Sequence, residues 1–332
     1  MATNDQVKAL VNSHASGDDS QFYSIAIQVA AKAARSGQDK FARELRDLVD
    51  SLQKRSSPSS RIAAVVPLAQ PRGELSSLLT VAYPEDKLAD LVLSEPLAER
   101  IAHVLLEQRR SEVLTRHGLR PVRRLLLVGP PGTGKTSTAR VIAGELGMPL
   151  FAIRLDTLIT KFMGETAAKL RLVFDALAET RGVYLFDEVD ALAGNRAASN
   201  DVGEIRRVLN SFLQFLEEDS SESVVVAATN HPRLLDGALY RRFDVVMDFE
   251  LPGDDAIRAV VRNRLATFGT SRVSWTKVID AARGLSHAEI SMAAENAAKR
   301  CVLGGRTTIS TGELVSAMRS RPRANSVQGE MA

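Results

Sequence analysis

The chain carries a single cysteine, Cys301, in 332 residues. One thiol excludes an intramolecular disulfide and fits a reducing cytoplasm, the expected location. The five histidines and that cysteine form no cluster with ligand spacing, which argues against a zinc site. No apolar run reaches about eighteen residues, so no membrane span is expected. No secretory leader is read either. Neither sign of charge dominates: Lys+Arg 43 against Asp+Glu 40 leaves +3, too little to imply nucleic acid as a partner. The basic clusters at Arg109-Arg110, Arg123-Arg124 and 319–323 read as solvated surface. Aromatics are only 5%, but the apolar fraction of 45% supports an ordinary core. No internal repeat is present, which excludes a tandem arrangement.

What the chain does have is a phosphate-binding signature. Gly129-Pro130-Pro131-Gly132-Thr133-Gly134-Lys135-Thr136 reads G-x-x-x-x-G-K-[ST] and runs on through Ser137. Four apolar residues precede it, and helix-compatible sequence follows. The glycines let the backbone turn its N–H groups inward toward phosphate oxygens. The helix behind them presents unpaired N–H groups and the positive end of its dipole. Lys135 is placed to reach the β- and γ-phosphates of ATP, and the Thr136 hydroxyl to ligate Mg²⁺.

A second apolar run, Val183-Tyr184-Leu185-Phe186, ends in Asp187-Glu188. A continuous apolar run fits a parallel strand buried on both faces. Its carboxyl end is where an α/β sheet places ligands. Asp187 is expected to hold Mg²⁺, and Glu188 to polarise the attacking water as general base. A third run, 224–228, ends in Thr229-Asn230. An amide at that sheet edge can orient the water or touch the γ-phosphate, although Asn is also an ordinary turn residue.

Then comes Leu235-Asp236-Gly237-Ala238-Leu239-Tyr240-Arg241-Arg242-Phe243-Asp244. P-loop, D-E pair, T-N and this segment, in this order and spacing, resemble an AAA-type ATPase over about residues 90–318. The resemblance implies a P-loop NTPase α/β fold: a five-stranded parallel sheet, a small α-helical lid domain and a short helical N-terminal module. It implies that Asn230 is the strand-end sensor. It also implies that Arg241 and Arg242 act as arginine fingers on the nucleotide of a neighbouring subunit in a homo-oligomeric ring, expected to be a hexamer. Without the flanking pattern such an arginine pair is solvated surface charge.

Lys161-Phe162-Met163-Gly164-Glu165 is similar to the family's pore-loop segment. By that resemblance Phe162 and Met163 grip an extended polypeptide in the central channel, so the substrate is a protein. Gly284-Leu285-Ser286-His287-Ala288-Glu289-Ile290 resembles the segment that opens a lid helix beside the adenine. Ser286 and Glu289 have capping-box spacing. His287 stands where the family usually has glycine, so its ring must stack on the adenine, swing away or reshape the pocket. Ala288 stands where other AAA+ groups carry a second sensor arginine.

The expected organisation is a helical module at 1–55 for recruitment, a linker at 56–75 and an ATPase domain at 76–253. A lid at 254–320 and a flexible tail at 321–332 complete it. The expected activity is Mg-dependent ATP hydrolysis coupled to unfolding or remodelling of a protein. Two other readings stay open. One is a nucleic-acid-acting AAA+ protein, against which the pore aromatic argues. The other is an ATP-dependent switch on a partner. The short N-terminal module also resembles bacterial AAA ATPases paired with a separate subtilisin-like serine protease, in defence or plasmid-maintenance systems.

Overall fold

The computed structural model describes residues 73–158, 163–193, 202–235 and 237–323. The expected N-terminal module, most of the linker and most of the tail lie outside them, as do Phe162 and Asp236. Strands β1 (Leu79–Ala82), β2 (Arg124–Val128), β3 (Leu150–Ile153), β4 (Val183–Phe186), β5 (Val224–Thr229) and β6 (Val245–Asp248) form one sheet in the order β1-β3-β4-β5-β2-β6. The pairings from β3 to β6 are parallel, as expected of the five-stranded core. The sheet has a sixth strand, which corrects that expectation. Strand β1 pairs antiparallel with β3, Leu79 opposite Ile153. At four residues, β1 is too short to show a period-2 pattern.

The central strands are apolar because both faces are covered. On one face Leu126, Tyr184, Phe186 and Val225 meet helices α3 (Met163–Glu179) and α4 (Val202–Glu218). Phe174, Phe186 and Phe212 pack edge and face at centroid distances of 5.0–5.9 Å. On the other face Leu125, Leu127, Leu185 and Val226 meet helices α1 (Glu95–Arg109) and α2 (Lys135–Leu146). Alternate residues of each strand therefore serve opposite cores.

A third core joins helices α5 (Asp254–Arg264), α6 (Trp275–Ala282), α7 (His287–Leu303) and α8 (Thr311–Arg319). The Ser286 hydroxyl caps α7 by accepting from the Glu289 N–H at 3.3 Å. The reciprocal half of a capping box is formed at α8 instead, by Ser310 and Glu313. No helix among the described residues is long and apolar enough to cross a membrane.

Arg123 departs from its reading as solvated surface. It is buried, with its guanidinium paired to the buried Asp219 carboxylate and donating to the Ser221 carbonyl at 2.9 Å. The pair ties the foot of β2 to the turn between α4 and β5. Asp244 adds a second tie, accepting from the backbone N–H groups of Arg123 and Arg124 at 2.9 Å. Adjacent arginines look alike in sequence; burial of one follows from the acid that the sheet order brings beside it. Removing one partner of a buried pair leaves an uncompensated charge. Asp219→Ala is therefore expected to cost about 3–5 kcal/mol, read as a lower denaturant midpoint at unchanged slope. A midpoint equal to wild type would show that the pair does not hold this end of the sheet.

Candidate functional site

The loop 129–134 leaves the carboxyl end of β2 and enters α2. Its backbone dictates all three of its glycines, and at Gly129 a Cβ would lie 2.1 Å from the Phe249 carbonyl oxygen. Gly134 caps α2 with φ 104°, in the left-handed region. Gly132 has φ 74°, and a Cβ there would lie 2.5 Å from the Ser286 hydroxyl oxygen. The Thr133 hydroxyl donates to the Pro130 carbonyl at 2.8 Å, which closes the loop. Lys135 folds back over it. Its ammonium donates to the carbonyls of Gly129 at 2.7 Å and Pro130 at 2.8 Å. Burial pulls the Lys135 pKa down to about 8, against the opposing pull of Asp187 and Asp190. The lysine is thus a sealed cation on a cradle of N–H groups, the complement of a phosphate chain.

At the end of β4, Asp187 accepts from the Thr136 hydroxyl at 2.6 Å and from the Glu188 N–H at 3.0 Å. Thr136 and Asp187 present adjacent hard oxygen donors. That suits Mg²⁺, which takes one or two protein oxygens and fills its shell with water and phosphate. Among the described residues no group of three or more His, Cys, Asp or Glu is placed to form an all-protein cage. Glu188 is exposed and has φ 54°, the one non-glycine residue with positive φ among those described. Asn230 follows β5 at the same sheet edge. Pro131 to Ser137, Asp187, Glu188 and Asn230 all line one cavity of about 730 Å³.

The opposite wall comes from α7, from Val260, Asn263 and Arg264 of α5, and from residues 90–93. The Ala288 N–H donates to the Gly132 carbonyl at 3.0 Å, so the first turn of α7 rests on the phosphate loop. His287 lines the cavity beside Val92. Burial holds its pKa below the usual histidine range, while the Val92 backbone draws it the other way. Its Nδ1 is sealed from solvent without a hydrogen-bond partner. The sequence reading missed residues 91–93 as lining. It also missed Asp190, which accepts from the Thr229 hydroxyl at 2.7 Å. Its three-residue spacing from Asp187 was the available signal.

Four sequence-predicted residues do not line this cavity: Gly129 and Pro130, which meet Lys135 through their carbonyls instead, and the two arginines. Arg241 is exposed and Arg242 is half-buried. Arg242 pairs with Glu217 at 2.6 Å. Met163 opens α3, and its side chain lies outside the described set, like all of Phe162.

The family described as "ATPase family associated with various cellular activities (AAA)" matches residues 125–251. An uncharacterized AAA family ATPase, y4kL of Sinorhizobium fredii, is 32% identical over 337 residues. That match covers 100% of this chain and 99% of the relative. The ATP-dependent zinc metalloprotease FtsH of Lancefieldella parvula is 37% identical over 60% of this chain and 32% of its own length. The proteasome-activating nucleotidase of Methanothermobacter thermautotrophicus is 36% identical over 51% of this chain and 43% of its own. The chain thus spans less than half of these two relatives. Among solved structures, the FIGL-1 AAA domain aligns with a TM-score of 0.61 at 24% identity, covering 77% of this chain and 90% of that one. That likeness concerns the fold alone.

The sealed lysine makes nucleotide affinity depend on pH. Free Lys135 titrates at about 8, and bound phosphate raises that value again. Below it the lysine is protonated whether free or bound. Above it binding takes up a proton, and ADP affinity falls by up to about tenfold per pH unit. Folded stability moves the other way there, rising with pH because the unfolded chain holds the proton longer. Calorimetric titration between about pH 7 and about pH 9 in two buffers of different ionisation enthalpy measures the proton uptake. Lys135→Arg, always charged, is expected to abolish the uptake. Equal affinity at both pH values in wild type would remove the lysine from the phosphate contact.

Proposed function

The chain belongs to the AAA family of ATPases and hydrolyses ATP, and from that premise we propose that it does so in a homo-oligomeric ring, a hexamer, that remodels or unfolds a protein. One observation carries the reading. The cavity collects the phosphate loop, Asp187, Glu188 and Asn230, while the chain's own Arg241 and Arg242 lie outside it. Among the described residues, the cations that do line it are Lys135, on the loop, and Arg264 of α5, which pairs with Glu295 at 3.3 Å; a neighbour's arginine adds a charge aimed at the transferring phosphoryl group.

The roles follow from chemistry. Loop N–H groups and Lys135 bind the phosphates. Thr136 and Asp187 hold Mg²⁺, which when bound neutralises charge on the phosphate oxygens. Glu188 takes the proton of the attacking water, and the Asn230 amide orients that water. The His287 ring closes the adenine end. Arg241 or Arg242 of the next subunit stabilises the transferring phosphoryl group. Such a finger is worth about 10³–10⁵ in rate, or about 4–7 kcal/mol. Because α7 rests on Gly132, a change at the phosphates reaches the lid directly. The lid then moves the segment carrying Phe162 and Met163, which grips the polypeptide. FtsH and the proteasome-activating nucleotidase, to which the chain is similar, are named for ATP-dependent proteolysis and proteasome activation. Those names support a protein as the substrate here.

The in-trans finger is tested by mixing two inactive variants. Glu188→Gln subunits keep their arginines, and Arg241→Ala/Arg242→Ala subunits keep their base. Mixed rings contain interfaces with both, so ATPase activity is expected to reappear at about a quarter of the sites in an equal mixture. No recovery in a confirmed mixed assembly would place the arginines in cis or outside the chemistry.

The polypeptide substrate is tested with Glu188→Gln as a trap in ATP. Protein is expected to co-purify with the assembled particle and to be lost when Phe162→Ala is added, while nucleotide stays bound. Retained nucleic acid, or an empty particle of monomer mass, would overturn the remodelling reading.

A further inference from the structure

Glu188 and Asn230 sit on different loops, one after β4 and one after β5. For a base and a water-orienting amide to act on one water, those loops must keep a fixed separation. Main-chain pairing between β4 and β5 runs from Val183 with Val224 to Phe186 with Ala227, and stops short of both residues. One side chain bridges the gap beyond. Asp190 lies in the 3-10 turn Val189–Ala193 that follows Glu188. Its Oδ1 accepts from the Thr229 hydroxyl at 2.7 Å and from the Asn230 N–H at 3.4 Å. Thr229 is fully buried, and its hydroxyl oxygen accepts in turn from the His231 N–H at 3.0 Å. On the other side, the Ala191 N–H donates to the Glu188 carbonyl at 2.8 Å, and Val189 and Leu192 are buried in the core. One carboxylate oxygen therefore joins the left-handed Glu188 turn to the loop of Asn230.

We propose that Asp190 is a positioning residue that sets the distance between the general base and the water-orienting Asn230. The inference rests on the proposed roles of those two residues. Asp190 needs no contact with the nucleotide to act. A displacement of about 1 Å at a reacting centre costs about 10²-fold in rate, and Asp190 is the link that prevents it.

The test uses the full chain with Mg-ATP. Asp190→Ala is expected to lower kcat by about 10²-fold while KM and ADP affinity stay within about threefold. Asp190→Asn keeps an oxygen acceptor and removes the charge near Lys135; it is expected to retain kcat within about fivefold. Thr229→Val removes the donor while keeping the shape. It should lose kcat as Asp190→Ala does, and covers the case in which that variant fails to fold. Adding Asp190→Ala to Asn230→Ala should slow the enzyme by no more than about twofold beyond Asn230→Ala alone. Additive losses overturn the inference, as does an Asn variant as slow as the Ala variant. So does a raised KM at constant kcat. Slow Asn230→Ala with fast Asp190→Ala sinks the inference alone. Unchanged kcat in Asn230→Ala overturns the assigned role of Asn230 itself.

Discussion

A cation sealed against backbone carbonyls is the interaction around which the site is arranged. An ammonium in a low-dielectric wall is costly unless compensated. Lys135 is compensated only partly, by the carbonyls of Gly129 and Pro130 and by the more distant charges of Asp187 and Asp190. Burial accordingly holds its pKa below the usual lysine range. A phosphate chain supplies what is lacking. The same residue thus explains why the loop curls over its own lysine and why the first turn of α2 faces the cavity. It also explains why two acids can lie at the neighbouring strand end without repelling the ligand. Sheet order makes this arrangement available. With β2 between β5 and β6, and β4 beside β5, the carboxyl ends that carry the loop, the acids and the amide fall next to one another.

Much of this was legible in the chain, for physical reasons. The phosphate loop is contiguous, so its residues carry their geometry in their spacing. The central strands are buried on both faces and read as uninterrupted apolar runs. What was not legible depends on contacts between segments far apart. Asp190 to Thr229 spans 39 residues, and Arg123 to Asp219 spans 96. Neither side chain announces its partner. Arg123 and Arg124 are alike in sequence, yet one is buried against the Asp219 carboxylate and the other is half-buried, donating to the Asp219 carbonyl at 3.0 Å. Strand β1 is short and pairs with the edge of β3, so its four residues show no period. Gly132 was legible as a turn glycine. That a Cβ there would strike Ser286 from the lid was not, because it joins segments more than 150 residues apart, roughly a whole domain length.

That close approach gives the lid its leverage. The Ala288 N–H and the Gly132 carbonyl join α7 to the phosphate loop by a main-chain bond. Side-chain flexibility cannot absorb motion through it. In the proposed cycle, a shift of the loop as phosphate is lost would move α7 or break this bond. Helix α7 is packed through Ile290, Ala293, Ala294 and Ala297 into the four-helix core. Small residues at that seam leave little slack, so the helices move together.

The left-handed backbone at Glu188 is the last part of the argument. A non-glycine residue there costs about 1–3 kcal/mol. Glycine would remove the strain but carries no carboxylate, which the role proposed for Glu188 requires. The fold offsets it with the Asp187 carboxylate under the Glu188 N–H, the Ala191 bond to its carbonyl, and Val189 and Leu192 anchored in the core. These contacts fix the backbone from which the exposed side chain projects. A flexible strand end would avoid the strain and would let the carboxylate sample many positions. On the proposed role of Glu188, strain here accompanies holding a base still, and the Ala191 bond and the buried Val189 and Leu192 that hold it also flank Asp190, which meets Thr229.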